Sequence, residues 1–197
     1  MIGVIHKVLF DLLHQQGGPD LVARVAGSVD LDPETIRISE SYPDEQFATL
    51  LQSAITETGL PRYVVIDAYA DAFLAYARNL FPAFFSMSSN SFEFLKRQPK
   101  IHTSISASLL EESERDRVEN KFSLIEEDDG SLSVSYRSRV GLCDLYHALA
   151  HKIAAHYGDS LVISAETCGS GRACALRLFF NQSPDAALLS KCLEGHG

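Results

Sequence analysis

Residues 117–138, RVENKFSLIEEDDGSLSVSYRS, mark the point where the texture of the chain changes. Apolar and polar residues alternate on both sides of Asp128-Asp129-Gly130, with Phe122 and Leu124 before it and Leu132, Val134 and Tyr136 after it. A period of two around an Asp-Gly pair predicts a β-hairpin. Everything upstream reads as helix. Ile2, Ile5, Val8, Leu9, Leu12 and Leu13 recur at helical spacing, and Gly17-Gly18 stops that run. A second helix starts near Asp20. Further helices run from about Pro43 to Thr58, from Arg62 to about Leu80, and from Phe92 to Leu110, punctuated by Gly59, Pro61 and Pro82. Downstream of the hairpin, Gly141 to Tyr157 carries Leu142, Leu145, Leu149 and Ile153 on one side of a helix. Two more strands, SLVISAETC (160–168) and ACALRLFF (173–180), flank a turn at Gly169 to Gly171. The layout is α+β: a helical N-terminal part, then a small antiparallel sheet with crossing helices.

A chain of 197 residues suits one domain, here residues 1–180, with a tail at 181–197. Apolar residues at 46% and charged residues at 22% argue against wholesale disorder. The net charge of -9 disfavours unaided nucleic-acid binding and an anionic membrane surface, both of which select basic faces. No apolar run is long enough to cross a bilayer. His6, Lys7 and Asp11 interrupt the N-terminal apolar residues, so no signal-peptide core forms and a cytoplasmic location is expected. Cys143, Cys168, Cys174 and Cys192 all fall in the last third. In a reducing compartment such a cluster points to metal or redox chemistry ahead of disulfides.

Three features carry chemistry. His102 lies in KIHTSISASLL (100–110), a stretch of mostly apolar or small residues. Tyr136, Ser138 and two arginines sit where a strand runs into a helix. The helices before them are rich in Phe, Leu and Ala. An apolar slot with one imidazole and an anion clamp is what a haem requires: a neutral nitrogen for iron, apolar walls for the macrocycle, and donors for two propionates. Taken alone, the same residues also fit a core histidine and a solvated strand. The remaining motifs are weak. GSGRAC (169–174) has no helix to present its amides to a phosphate. HALAH (147–151) lacks the glutamate of a zinc-protease helix. EESERD (111–116) reads as a solvated face. No nucleophile–base pair stands out, so an enzyme is not expected.

Five stretches taken together resemble one known family. They are MIGVIHKVLFDLL (1–13), SYPDEQFATLLQSAITETGLP (41–61), LFPAFF (80–85), FLKRQPKIH (94–102) and YRSRVGLC (136–143). Over about residues 1 to 180 the chain resembles the H-NOX (haem nitric oxide/oxygen-binding, HNOB) family. The resemblance implies a helical distal part, a mixed proximal part and haem b between them. It places His102 as the proximal iron ligand. Tyr136 and Ser138 match the first two positions of a YxSxR motif that binds the propionates. The fifth position is Val140, and the arginine stands one residue early, at Arg139. Alternate residues of a strand share a face, so a regular strand would aim Arg139 away. The expectation is that Arg139 swings in where the strand turns toward Gly141; the alternative is a clamp of two hydroxyls.

Leu9, Phe73 and Leu145 match the distal positions that are polar in oxygen-binding relatives. Tyr146 is turned roughly 100° from Leu145 on a helix, and the chain has no Trp. The resemblance therefore implies a fully apolar distal pocket and a sensor of nitric oxide, also binding CO. By the same resemblance, NO weakens the iron–His102 bond, the His102 helix relaxes, and a partner reads the change in trans. A histidine kinase or a cyclic-dinucleotide enzyme is the expected partner. EESERDR (111–117) occupies the region where the family carries a proline under the haem.

Some relatives hold structural zinc with cysteines and a histidine. Cys143, Cys168 and Cys174 match the three thiolate positions, but the histidine position is Ala165. A fourth ligand would come from His147 or the tail; otherwise the cysteines pack reduced in the β layer. Two other classes of function remain open: a cysteine- or zinc-based redox module, and a haem-free interaction scaffold made conceivable by Val140.

Overall fold

Gly18 and Pro19 bend the long N-terminal helical run. In the computed structural model, α1 (Gly3–Ala26) is continuous except at Gly18, whose φ of 68° and ψ of -166° are not helical. Glycine takes that φ without a Cβ clash, and Pro19 cannot donate to the preceding turn. The structure describes residues 2–29, 31–107, 115, 122–137, 140–168 and 174–182, with the backbone alone at 165–168 and 181–182. A 3-10 turn, Pro33–Thr35, leads to α2 (Asp44–Thr58), whose first-turn Asp44 and Glu45 complement the helix dipole. α3 (Arg62–Leu80) and the short α4 (Pro82–Ser86) follow.

The helix expected over Phe92 to Leu110 is two helices. α5 (Ser91–Lys96) is capped by the Asn90 side chain, which accepts from the Glu93 amide. α6 (Gln98–Ser106) restarts after Arg97 with Pro99 in its first turn. Proline has no N–H to continue the earlier ladder but suits a first turn, which is why the break falls there. Residues 108–110 lie outside the described residues.

β1 (Phe122–Glu126) and β2 (Leu132–Tyr136) form the hairpin. β3 (Asp159–Cys168) and β4 (Cys174–Gln182) complete an antiparallel sheet of order β1-β2-β4-β3. Between β2 and β3, α7 (Cys143–Tyr157) packs against the sheet. The chain reaches α7 through Gly141, whose φ of 68° is a left-handed turn open to glycine.

Two apolar cores result. One gathers Val8, Leu9, Phe47, Leu50, Leu51 and their neighbours from α1, α2 and α3. The other gathers Leu95, Leu132, Val134, Leu176 and Leu178 from α5 and the sheet. α7 is shared between them. Leu142 and Leu145 pack in the first core, whereas Tyr146, Ala150, Ile153 and Ala154 pack in the second. Successive helical residues point about 100° apart, so one helix can serve both. α7 is tied to α3 by Arg62–Asp144 at 2.6 Å and by Lys152, 2.9 Å from Asp67 and 2.8 Å from Asp71. Among the described residues, no helix is long and apolar enough to cross a membrane.

Candidate functional site

Where the two cores meet, α7 borders a cavity of about 210 Å³. Ile2, just before α1, with Val4 and Ile5 of α1 and Phe73, Leu74 and Ala77 of α3, lines one side. Phe84, Phe85 and Phe94 line another, and Leu145, Leu149 and Ile153 of α7 close it. Among these walls stand five residues with polar atoms: Tyr69, Gln98, His102, Tyr136 and Tyr146.

His102 is brought to the wall by α6, whose Ile101 and Ser106 are buried. Its ring lies 4.6 Å from that of Phe122 on β1. Phe122 stacks on Tyr136 at 5.0 Å, Tyr136 on Tyr146 at 5.3 Å, and Phe122 meets Tyr146 at 5.5 Å. Strand register makes the first of these contacts, since Phe122 is paired directly with Tyr136. The imidazole is thus carried beside a rigid aromatic wall.

Two of the phenol hydroxyls are engaged within the fold. Tyr69, 1% exposed, donates to the backbone oxygen of Ile5 at 2.9 Å. Tyr146 donates to Gln98 Oε1 at 3.2 Å. Burial pushes both phenols upward from their ordinary pKa, so both stay protonated donors.

The structure brings His102, Tyr136, Phe73 and Leu145 to this one cavity. Leu9 is not on its wall: it is fully buried in the helical core. It sits one turn, about 6 Å, along α1 from Ile5, and α1 meets the cavity through its first residues instead. Ser138 and Arg139 lie outside the described residues. Val140, in the motif's fifth position, packs against the helical core. The pocket is also not fully apolar, because Tyr69 and Tyr146 both reach it. The 100° turn of Tyr146 from Leu145 does not take it out of the cavity, because Leu142 at the N-cap with Leu145, Tyr146, Leu149 and Ile153 forms one face of α7, about 100° wide, that lines it. Tyr69 and Gln98 carry no motif that marks them in the sequence. The available signal for Gln98 was a polar residue one helical turn before the histidine.

Cys143 and Cys174 correct the metal reading. They open α7 and β4, and are joined in a disulfide with Cα atoms 6.5 Å apart. A sulfur bonded to another sulfur is not the thiolate that zinc takes. Cys168 is the strand partner of Cys174 by register. Among the described residues, no group of three or more His, Cys, Asp or Glu could hold a metal ion. Among the described residues, His147 Nε2 is buried without a partner, and burial lowers its pKa.

One imidazole on an aliphatic and aromatic wall, with a phenol on the same wall, suits haem: a nitrogen for iron and apolar surface for the ring. The sequence profile of the haem-NO-binding family matches residues 2–165. The chain belongs to that family. Its α+β architecture is the H-NOX fold, and it is a haem-based gas-sensor domain, not an enzyme.

Solved H-NOX proteins share the fold at low identity. The unliganded Fe(II) H-NOX protein from K. algicida has a TM-score of 0.73 at 19% identity, covering 93% of this chain and 98% of that one. The H-NOX protein from S. oneidensis in the Fe(II)NO ligation state has a TM-score of 0.71 at 16% identity, covering 92% and 100%. An oxygen-binding H-NOX domain related to soluble guanylate cyclases, solved as its oxygen complex, has a TM-score of 0.72 at 15% identity, covering 92% and 96%. Among curated proteins, none matches this sequence.

Proposed function

We propose that this H-NOX domain senses nitric oxide at ferrous haem b and signals to a separate protein. The observation that carries the reading is His102 standing on the wall of the cavity between the helical and sheet cores. His102 would offer its neutral imidazole to iron. Tyr136, with Ser138 and Arg139 following it in the chain, would hold the propionates. When bound, ferrous haem supplies an open coordination position for a diatomic gas.

The choice of gas rests on the distal wall. Bound oxygen is polarised and gains from a hydrogen-bond donor, whereas NO and CO do not depend on one. Phe73 and Leu145 offer no donor, and the Tyr69 proton is committed to Ile5. Relatives of this fold have been solved with NO and with oxygen, so the fold itself does not decide. The signal would be a change at His102: with its imidazole not held by iron, α6 would be free to shift. A two-state helix suffices as a switch when a partner binds one state better. A histidine kinase or cyclic-dinucleotide enzyme fits the partner role, and the net charge of -9 suits a basic docking patch. The domain expected over residues 1–180 would carry the haem, with β4 running past that boundary to Gln182.

The Cys143–Cys174 disulfide supports a second reading, a redox module, because it joins α7 to the strand beside Tyr136. Haem titration separates the two. Protein prepared without haem should take up one equivalent, and His102→Ala should weaken uptake at least tenfold, with free imidazole restoring the band. Equal uptake by both proteins would remove His102 as the ligand. Under this reading, reduction of the disulfide leaves uptake unchanged. In the same assay Arg139→Ala should weaken binding if the arginine joins the clamp; unchanged affinity would leave a clamp of two hydroxyls.

A further inference from the structure

The helix that bears His102 is nine residues long, Gln98–Ser106. A helix that short is not stable by itself, so its position is set by what its side chains grip. The Thr103 and Ser104 hydroxyls turn back to their own helix, at Pro99 and Lys100. Gln98 reaches out instead. Its Oε1 accepts from the Tyr146 hydroxyl on α7 at 3.2 Å, and Tyr146 is 4% exposed. Gln98 and His102 are four residues apart, hence on one face of α6, and both line the cavity. The same aromatic stack meets both ends of that face. Phe122 touches His102 at 4.6 Å and Tyr146 at 5.5 Å, while Tyr146 holds Gln98.

We propose that the Tyr146–Gln98 hydrogen bond is a latch that holds α6 in the position where His102 can ligate iron. This rests on the haem reading above and assigns the resting position of its switch. Gln98 and Tyr146 are positioning residues, acting through His102. Shifting or rotating α6 pulls Gln98 away from Tyr146, leaving a buried phenol without its acceptor. The latch therefore opposes release of His102 and sets how readily ligand arrival moves the helix.

Two readouts test this. Tyr146→Phe removes one oxygen, and Gln98→Met removes the acceptor at similar size. Gln98→Glu keeps an acceptor. Amide hydrogen exchange over residues 98–106, measured without haem, should be roughly fivefold faster in the first two variants, the effect of one buried hydrogen bond on a local opening. Gln98→Glu should exchange as the unsubstituted protein does. In the ferrous, haem-loaded proteins the iron–histidine stretching band should move in Tyr146→Phe and Gln98→Met and stay in place in Gln98→Glu. Unchanged exchange, or an unmoved band, in Tyr146→Phe and Gln98→Met overturns the latch in a protein that loads haem. Failure of the unsubstituted protein to take up haem overturns the haem reading itself, and with it this role.

Discussion

His6 stands on α1 with no exposed surface, its ring 5.0 Å from that of Tyr42 and 5.6 Å from that of Phe47. Among the described residues its ring nitrogens make no hydrogen bond of ordinary geometry, though the Ile2 backbone lies near enough to favour the charged form. Burial pushes its pKa down from 6.5 to about 4. Above pH 6.5 the folded and unfolded chains both hold it neutral, and its effect on pH dependence vanishes. As pH falls from 6.5 toward 4, the unfolded chain takes up a proton that the folded chain resists, so stability falls. The full effect is on the order of 3 kcal/mol. His6→Phe should flatten the fall of Tm across that range; an unchanged slope would assign the acid sensitivity to other groups. Leu145 is the second informative residue, 7% exposed and on the cavity wall. Leu145→Tyr places a hydroxyl donor there, and the haem-loaded ferrous variant should hold oxygen in air where the unsubstituted protein does not. Absence of an oxygen complex in the variant would mean that a donor at this position does not govern gas choice.

At the level of elements, α7 organises the molecule. It starts where Gly141 turns the chain out of the hairpin, and it faces both cores. Gly141→Ala forces a Cβ into a left-handed turn and should cost about 1 kcal/mol or more, read as a lower denaturation midpoint. An unchanged midpoint would show that the turn relaxes without cost. The elements were legible wherever glycine, proline or a strict period punctuates the sequence: α1 with its bend, α2, α3, the hairpin and α7. The split at Arg97 was not read, although Pro99 marks it. Site residues were legible by type and less so by place. Periodicity says which face of a helix is apolar, but not which neighbour that face meets. For that reason Leu9, fully apolar and in phase, went to the core and not the cavity. Tyr146 reaches the cavity beside Leu145 because the two are opposite edges of the one face of α7, with Leu142, Leu149 and Ile153 between them, that meets it. The disulfide escaped for a related reason, since Cys143 and Cys174 are 31 residues apart and come together only when β4 lies beside β2.

For the whole molecule, the question is whether two cores act as one. α7 packs in both, and its ties to α3 are half-exposed ion pairs worth at most about 1 kcal/mol each. The coupling therefore lies in apolar packing. Leu51 in the helical core and Leu95 in the sheet core are both fully buried. Alanine at either should cost about 2–5 kcal/mol and lower one shared unfolding transition. Two separated transitions in either variant would show that the halves unfold independently. A cavity between coupled cores is a place where a small change at His102 can be felt by both.

The absorption spectrum of the ferrous, haem-loaded protein before and after NO tests the central claim most directly. A five-coordinate ferrous spectrum that becomes that of a five-coordinate NO complex is the predicted result, with His102 leaving iron as the gas arrives. No haem band after haem is supplied, or an NO complex that keeps the histidine bound, would contradict the account.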